Sequence, residues 1–526
     1  MSRESIADGH AVLGIELGST RIKACLIGGD GATLATGAHT WENRFVDGVW
    51  TYSLDDVWLG VQSAYSDLAT DVEQRCGIRP TTFRAIGVSA MMHGYLAFDG
   101  QGELLVPFRT WRNTSTTPAA AELSALFRHN IPLRWSVAHL YQAVLDDEAH
   151  VPRIASVTTL AGYVHRRLTG CDVLGVGDAS GVFPIDPATG GYDARMLAQF
   201  DDLMTARQRT VRLADLLPDV LRAGQEAGRL TAEGAALLDP RGDLLPGAPL
   251  CPPEGDAGTG MVATNSVSPR SANVSVGTSI FAMVVLDRPL VAVHDELDLV
   301  MTPVGDLVAM VHCNNGASEL GSWAELFGEF AAALGDDVGR DRAFGVLLQH
   351  ALDGEPDAGG LLAYNYLSGE PVTGLAEGRP LVVRTPGSRL TLANFMRAQL
   401  YGAFATLSLG MRVLAREGVE VDSMFAHGGL FRTEGVAQRL LAAAVGTPVS
   451  VGRAPGEGGA WGIAVLAGYL AHASELDLAT YLDQCIFAGA AFTVARPIPA
   501  DVDGFGVFLD RYVAGLAIEA AAVQAL

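Results

Sequence analysis

One carboxylate stands where it could take a proton from a hydroxyl group. Asp256 lies in residues 254–260, which read E-G-D-A-G-T-G and lead into a predicted helix of small residues. An Asp at the start of a helix commonly serves as an N-cap. It can also act as a general base beside the γ-phosphate of a nucleotide, and the helix N-terminus would help to keep it ionised. The spacing alone leaves both interpretations open.

A short turn near the N-terminus could bind phosphate. Gly18, Ser19 and Thr20 separate two predicted strands, residues 12–17 and 22–27, rather than preceding a helix. A tight turn of small residues can point backbone N–H groups at phosphate oxygens, and Lys23 could add a positive charge. The chain contains no G-x-x-x-x-G-K-[ST] run, so this is not a Walker-type loop. An ordinary hairpin turn is the alternative.

The same arrangement recurs in the second half of the chain. Gly277 and Thr278 follow a predicted strand over residues 273–276 and precede another over residues 280–285. Two strand–turn–strand units at the start of two halves suggest an ancient duplication. Two phosphate-binding hairpins, one in each domain, are the layout of the actin-like ATPase fold.

Two further segments carry side chains that suit a polyol or sugar. Met92 and His93 follow a predicted strand, and Trp111, Arg112 and Asn113 end another β-run. An aromatic face beside hydrogen-bonding groups can hold a sugar. A buried core histidine and an interfacial tryptophan with polar surface neighbours are the alternatives.

Glycine pairs in the last quarter of the chain permit close approach of the backbone to a flat ligand. Gly428 and Gly429 end a predicted strand, and residues 457–460, E-G-G-A, precede a predicted helix. A purine could lie between such elements.

Composition excludes several classes of protein. The chain has 526 residues, with 59 acidic and 36 basic side chains, and its formal charge of −23 disfavours nucleic acid or an anionic membrane as a partner. No apolar run is long enough for a membrane span, and residues 1–14 do not resemble a signal peptide. The six cysteines are scattered without metal-ligand spacing, which is typical of a cytoplasmic protein with reduced thiols and no structural zinc.

The order of predicted elements indicates an α/β protein of two domains. Ser53 as an N-cap, apolar residues on one face and a stop at Gly77 predict a helix between strands. A proline-rich connector at residues 244–253 predicts a boundary. We therefore expect domains over residues 1–252 and 253–526.

Taken in order, these motifs resemble the FGGY family of carbohydrate kinases over essentially the whole chain. Residues 14–23 are similar to the first phosphate motif of the family, and Asp256 resembles its catalytic Asp. Gly277-Thr278 is similar to the second phosphate motif, and residues 367–370, L-S-G-E, to a lid-side motif. Gly428-Gly429 and residues 457–460 resemble the adenosine segment.

The resemblance implies two actin-like ATPase (ribonuclease H-like) domains with a central cleft. It implies sugar binding by the N-terminal domain, ATP binding by the C-terminal domain and Asp256 as the base. Glu16 would hold Mg²⁺ indirectly through water. Met92-His93-Gly94 is similar to the sugar-contacting segment of xylulokinases, so the expected reaction is phosphorylation of a pentulose such as D-xylulose at its terminal hydroxyl. A homodimer is a family expectation only.

Three departures from the family pattern weaken the choice of sugar. Glu16 replaces the common Asp, Asn113 stands in a W-R-N run where xylulokinases usually have W-N-D, and Pro371 follows Glu370 where Arg is usual. Ribulose, gluconate or glycerol therefore remain alternative acceptors. An actin-like ATPase without a metabolite substrate and a catalytically dead sugar sensor are alternatives from other classes.

Overall fold

Two mixed β-sheets, each packed against helices, form the cores of two units in the computed structural model. The structure describes residues 2–209, 211–336, 338–452 and 458–526. The first unit comprises Met1–Ser268, Leu299–Val308 and Ala454–Gly489, and the second comprises Pro269–Asp298, Ala309–Arg453 and Ala490–Leu526.

The strands fall into two groups along the chain. Those that precede residue 256 are β1 (Val12–Leu17), β2 (Arg21–Ile27), β3 (Thr33–Thr40), β4 (Arg44–Val46), β5 (Val49–Thr51), β6 (Ala85–Ala90), β7 (Leu96–Phe98), β8 (Ser156–Thr158), β9 (Val173–Gly175), β10 (Asp219–Leu221) and β11 (Glu254–Gly255). Those that follow are β12 (Ser271–Val276), β13 (Ile280–Val285), β14 (Leu297–Met301), β15 (Leu307–Cys313), β16 (Leu362–Tyr364), β17 (Leu381–Val383), β18 (Ser423–His427), β19 (Val449–Gly452) and β20 (Phe492–Ala495).

The helices alternate with these strands. They are α1 (Ser2–Ala7), α2 (Leu54–Cys76), α3 (Thr117–Phe127), α4 (Ser136–Leu145), α5 (Leu160–Thr169), α6 (Val176–Ala179), α7 (Ala194–Ala206), α8 (Ala232–Leu238), α9 (Asp256–Ala263), α10 (Ser318–Ala333), α11 (Arg340–His350), α12 (Leu392–Arg416), α13 (Val436–Val445), α14 (Gly459–Tyr469), α15 (Leu478–Tyr481) and α16 (Pro499–Ala525). Within the described residues, no helix is long and apolar enough to cross a bilayer.

The main sheet of the first unit has the strand order β11-β6-β1-β2-β3. β1, β2 and β3 form the antiparallel meander that the sequence predicts, while β6 runs parallel to β1 and β11 parallel to β6. The central strands are apolar on both faces and almost wholly buried. Three antiparallel strands extended by parallel ones form the ribonuclease H-like arrangement.

Helix α2 shows how local sequence sets a boundary. The Ser53 hydroxyl accepts the backbone N–H of Asp56 at 3.0 Å, as expected for an N-cap. Gly77, at a φ of +67°, ends the helix in the left-handed conformation that glycine adopts without strain. The predicted helix is therefore confirmed at both ends. Its buried face, which packs against β2 and β3, consists of Val57, Gly60, Val61, Ala64, Tyr65, Leu68, Ala69 and Val72.

Helix α14 packs against the same sheet at very short range. A Cβ atom added to Gly14 in β1 would lie 2.1 Å from the carbonyl oxygen of Ala460, and one added to Gly87 in β6 would lie 2.6 Å from that of Ile463. A Cβ on Gly462 would in turn meet the carbonyl oxygen of Thr259 in α9 at 2.2 Å. Glycine is thus required on both surfaces for this helix to lie against β1, β6 and α9.

The larger sheet, most of which lies in the second unit, repeats the scheme with seven strands, in the order β14-β15-β13-β12-β18-β19-β20. β12 and β13 form an antiparallel hairpin, and β18 runs parallel to β12 on its other side. The repeated strand–turn–strand unit is therefore part of a repeated sheet topology. The expected fold class, two α/β domains of actin-like (ribonuclease H-like) type, is confirmed.

The bounds of the two units differ from the predicted division of the chain at residue 252. Residues 253–268 belong to the first unit because β11 pairs with β6 and α9 continues from it. Helix α14 also belongs to the first unit, since it packs on β1 and β6, although it lies some 200 residues beyond the connector. Proline-rich composition marks a bend in the chain, and strand pairing determines where the unit ends.

The short distance between α14 and β1 gives a test of the packing. We expect Gly14→Ala to lower the free energy of unfolding by about 2 kcal/mol or more, because the new methyl group overlaps a backbone carbonyl that cannot rotate away. Gly29→Ala is the matched control, since its Cβ would meet no atom within 4 Å. Urea unfolding of both variants measures the difference, and equal stability would contradict this account of the packing.

Candidate functional site

Asp256 is placed by the pairing of two parallel strands. The ends of β11 and β6 are in register, with Gly255 opposite Ala90, so the residues that follow each strand emerge side by side. The Asp256 Oδ1 accepts the backbone N–H of Met92 at 3.1 Å. This bond joins the predicted base to the segment predicted to contact the sugar.

The carboxyl group of Asp256 is accessible but closely surrounded. The residue is exposed to solvent and is the first residue of α9. Desolvation by the surrounding protein raises the pKa of Asp256 above its ordinary value, while backbone N–H groups of Met92 and Ala257 oppose the shift. A carboxylate whose pKa is raised and which remains accessible is suited to accept a proton.

His93 adopts an unusual backbone conformation beside this carboxylate. Its φ is +70°, in the left-handed region that a residue with a Cβ seldom adopts. The ring is buried, with Nδ1 3.3 Å from the carbonyl oxygen of Gly181, and is stacked with Trp135 at a centroid separation of 6.3 Å. A Cβ on Gly181 would overlap the ring. Strain of this kind is found more often at functional sites than elsewhere.

Two buried carboxyl groups beneath Asp256 were missed by the sequence reasoning. Glu254 accepts the backbone N–H groups of Gly177 and Asp178 at 3.3 and 3.0 Å, and Asp178 accepts the hydroxyl of Thr159 at 2.6 Å. Both are acidic residues among small ones, Asp178 in D-A-S-G after β9 and Glu254 in E-G-D at β11. This pattern could have indicated them from the sequence.

The environment of this pair raises both pKa values. Desolvation, reinforced by the charge of Asp178, raises the pKa of Glu254 to about 8. Desolvation raises the pKa of Asp178 to about 7, and the charge of Asp256 adds to the increase. Both buried carboxyl groups are therefore more readily protonated than exposed ones, because burial disfavours the charged form of each.

The other predicted sugar-binding segment is organised around Trp50 in β5. The Asn113 Oδ1 accepts the Trp50 N–H at 2.9 Å, and its Nδ2 donates to the carbonyl oxygens of Trp50 and Thr110 at 2.8 and 3.0 Å. The guanidinium of Arg112 lies 3.6 Å above the Trp50 ring. Trp111 is 38% exposed. The structure therefore joins Met92 to Asp256 and places Arg112 and Asn113 against β5. The two predicted sugar-binding segments are neighbours, since Tyr95 and Arg109 exchange backbone hydrogen bonds at 2.8 and 3.2 Å.

These contacts give a physical reason for one departure from the family pattern. An amide can both donate and accept, so Asn113 pairs with both backbone groups of Trp50. A carboxylate would only accept and would place an oxygen against two carbonyl oxygens. Both N–H bonds of the Asn113 amide are engaged in these contacts, and a direct contact between Asn113 and the sugar stays a prediction.

The hairpin at residues 18–20 is held by its carbonyl oxygens. Gly18 O accepts the indole N–H of Trp41 at 2.7 Å, Ser19 O accepts the hydroxyl of Tyr52 at 2.6 Å, and Thr20 O accepts the backbone N–H of Trp41 at 3.2 Å. The two aromatic rings are stacked 4.0 Å apart. In a trans peptide the C=O and N–H bonds point in opposite directions. The N–H groups of Ser19 and Thr20 therefore point away from the aromatic pair, as phosphate binding requires.

The charged residues beside this hairpin are engaged with each other. Lys23 Nζ lies 4.0 Å from the carboxylate of Glu16, directly opposite on the neighbouring strand. Glu16 Oε2 also accepts the N–H of Ala460 at the start of α14. This geometry does not fit Glu16 as a direct ligand of Mg²⁺, and the indirect role through water remains a prediction. Among the described residues, no group of three His, Cys, Asp or Glu side chains is arranged to hold a metal ion.

In the second unit, the hairpin at Gly277 and Thr278 is also held by hydrogen bonds to its carbonyl oxygens. Thr278 O accepts the N–H of Gly316 at 2.7 Å, and Gly277 O accepts that of Ala317 at 2.8 Å. The N–H groups of Thr278 and Ser279 thus point to the other side of the turn. Here backbone groups at the start of α10 replace the aromatic side chains of the first unit.

A cavity of about 480 Å³ in the second unit is lined by Gly277 of this hairpin and by Gly429 of the predicted adenosine segment. The other part of that predicted segment does not line this cavity, because Gly459 and Ala460 begin α14 in the first unit. Gly428, at a φ of +117°, brings its backbone against Val276, since a Cβ there would lie 2.1 Å from the Val276 carbonyl oxygen. Glu457 of the predicted adenosine segment lies outside the described residues. The cavity is lined by Val276, Gly277, Ala317, Ser318, Gly321, Arg340, Asp341, Phe344, Gly429, Leu430, Arg432 and Thr433.

Family models match both halves of the chain. The N-terminal domain of the FGGY family of carbohydrate kinases matches residues 11–241, and its C-terminal domain matches residues 272–471. The autoinducer-2 kinase of Salmonella typhimurium is 22% identical over 302 residues. That match spans 54% of this chain and only 52%, about half, of the length of the relative.

Solved structures resemble the whole chain. The xylulose kinase of Rhodospirillum rubrum is 20% identical with a TM-score of 0.79, covering 97% of this chain and 98% of its own. The gluconate kinase of Lactobacillus acidophilus is 18% identical, with the same TM-score and the same coverage. At these identities the likeness concerns the fold.

The role of Asn113 can be tested by restoring the carboxylate. We expect Asn113→Asp to lower the free energy of unfolding by about 2 kcal/mol, because two hydrogen-bond donors are lost and an acceptor faces two carbonyl oxygens. The exposed exchange Gln101→Glu is the control, and denaturant unfolding at pH 7 is the measurement. A weaker affinity for substrate with unchanged stability would instead indicate a direct contact with the ligand.

Proposed function

This chain belongs to the FGGY family of carbohydrate kinases, and we propose that it transfers the γ-phosphate of ATP to the terminal hydroxyl of a pentulose, D-xylulose, with Asp256 as the general base. The observation that carries the proposal is the accessible carboxylate of Asp256, held by the Met92 N–H next to His93. An actin-like ATPase without a metabolite substrate has no need of these residues.

Asp256 would accept the proton of the attacking hydroxyl. Its bond to Met92 orients the carboxylate, and the start of α9 favours its ionised form. The raised pKa makes Asp256 a stronger base than an ordinary aspartate, which favours proton transfer as the oxygen–phosphorus bond forms. His93, fixed by Gly181 and Trp135, would donate a hydrogen bond to a sugar hydroxyl and help to align it.

The nucleotide would enter as Mg·ATP. The cavity of the second unit, between the Gly277 hairpin and Gly429, suits an adenosine with its phosphates directed at the hairpin. In the first unit, the N–H groups of Ser19 and Thr20 are donors of the kind that binds phosphate oxygens. Magnesium, when bound to the nucleotide, neutralises charge on the phosphates. These local donors offset the strongly acidic composition of the chain.

The choice of sugar rests on Met92-His93-Gly94, which resembles the xylulokinase segment. Another acceptor, such as gluconate or the substrate of the autoinducer-2 kinase of Salmonella, is the second candidate. Two observations favour this second candidate. Asn113 stands where xylulokinases usually have Asp, and the guanidinium of Arg112 is exposed above the Trp50 ring. Cytoplasmic location and a homodimer remain predictions.

The first test uses a panel of acceptors: D-xylulose, D-ribulose, gluconate and glycerol. We expect ADP release to depend on the acceptor and to have its highest kcat/KM with D-xylulose. Asp256→Asn should lower kcat by about a thousandfold while binding of Mg·ADP is retained, because proton transfer is lost and the nucleotide site is unchanged. A coupled ADP-release assay and calorimetric ADP titration measure the two effects.

Asp503→Asn is the matched control, an exposed aspartate on α16 outside the site. Near-normal turnover of Asp256→Asn would exclude Asp256 as the base. ADP release that no acceptor stimulates would exclude the kinase activity.

The raised pKa of Asp256 predicts the direction of a pH effect. A general base must be ionised, so activity should be lost as pH falls through its pKa, which lies above the ordinary value of 3.8. We therefore expect the acidic limb of kcat/KM for the sugar, at saturating Mg·ATP, to lie above the ordinary aspartate value. An acidic limb at or below the ordinary aspartate value would contradict the assigned environment.

A further inference from the structure

The second phosphate hairpin depends on a short segment before α10. The carbonyl oxygens of Gly277 and Thr278 accept N–H groups of Ala317 and Gly316. A Cβ on Gly316 would lie 2.4 Å from Gly277 O, so the two backbones are in contact. The direction of the hairpin N–H groups is therefore fixed by the position of residues 316–317.

That segment is held by Asn315, which is almost fully buried. Its Oδ1 accepts the backbone N–H groups of Leu367 and Ser368 at 2.9 and 3.0 Å. Its Nδ2 donates to Ser368 O at 3.2 Å. The carbonyl oxygens of Asn315 and Gly316 accept the side-chain amide of Asn365 at 3.1 and 2.7 Å.

Glu370 completes this network from within the protein. Its Oε2 accepts both the backbone N–H of Asn315 at 3.2 Å and the Asn315 Nδ2 at 3.1 Å. The side chain is fully buried, and Oε1 has no hydrogen-bond partner in the described part of the chain. Burial raises the pKa of Glu370 to about 7, against the hydrogen bonds from Asn315. A buried carboxyl group is costly unless it is hydrogen-bonded, and Asn315 supplies the two donors that Oε2 accepts.

We propose that Glu370 is a positioning residue for the nucleotide phosphates, acting through Asn315 and residues 316–317 on the hairpin at Gly277 and Thr278. The inference rests on the proposed function, because it assigns the nucleotide to the cavity that this hairpin borders. Asn315 and Gly316 are buried and Ala317 is half-buried, and hydrogen bonds connect this segment to the exposed hairpin, so a displacement of Asn315 is transmitted to the hairpin.

Residues 367–370 have a definite place in this network. The sequence resemblance assigns them to a lid-side motif, whereas the structure places Glu370 and Ser368 around Asn315. Glu370 and Leu375 exchange two backbone hydrogen bonds at 2.7 and 3.2 Å, which close the turn that contains Pro371. Pro371 lacks an N–H group, and the turn leaves Glu370 directed at Asn315.

The test compares Glu370→Leu with Glu370→Gln. Leucine removes the acceptor, whereas the amide oxygen of glutamine can still accept both donors of Asn315. We expect Glu370→Leu to raise the Kd for Mg·ADP and the KM for Mg·ATP about tenfold, with the KM for D-xylulose unchanged. Glu370→Gln should restore nucleotide affinity to within about threefold of the parent protein. Glu377→Gln is the control, since that side chain is 65% exposed on the same segment.

Each outcome separates the inference from the proposed function. A parent protein that does not bind Mg·ADP in calorimetry would overturn the proposed function and this inference with it. Binding by the parent protein and equally tight binding by Glu370→Leu would overturn the inference alone. So would a parallel loss of sugar and nucleotide affinity, which indicates a merely structural role. If Glu370→Leu does not fold, Glu370→Asp replaces it, because its carboxylate lies one methylene farther from Asn315. Glu370→Asp must then weaken Mg·ADP binding for the inference to stand.

Discussion

The orientation of a few peptide groups is the constraint on which the proposed chemistry depends. In the proposed function a strongly acidic chain binds an anionic nucleotide, and neutral backbone N–H groups can bind phosphate only when they point in one direction. In both units the orientation of the hairpin is fixed by hydrogen bonds to its carbonyl oxygens, on the side opposite its N–H groups. Trp41 and Tyr52 bind them in the first unit, and the backbone of Gly316 and Ala317 binds them in the second.

The sheet topology then determines what lies near each hairpin. In the first unit, β1 carries the hairpin at its end, β6 lies beside it and β11 lies beside β6, so Met92 and Asp256 emerge at the same edge. Close packing of α14 on the same strands requires Gly14 and Gly87. The buried pair of Asp178 and Glu254 lies beneath this edge and secures the strand that carries the base. The order of the strands, the positions of the glycines and the position of the base therefore depend on one another.

Much of the fold could be predicted from the sequence, because strands, turns and α2 are encoded by local periodicity and capping residues. The close association of Met92 with Asp256 followed only from family resemblance. Contacts that depend on distant pairing could not be predicted. Tyr52 binds a turn 33 residues away, and Asn113 pairs with a backbone 63 residues away. Glu370 likewise looked like part of a lid, since no local pattern shows which buried amide a carboxylate will meet.

The most direct test of the central claim is to identify the product by ³¹P NMR. With D-xylulose and Mg·ATP, the account predicts a new phosphomonoester resonance that grows in step with ADP, and no comparable signal from inorganic phosphate. The Asp256→Asn variant should give neither within the same time. ADP and inorganic phosphate without a sugar phosphate from any acceptor would show that water, and not a sugar hydroxyl, is the phosphate acceptor, and would contradict the account.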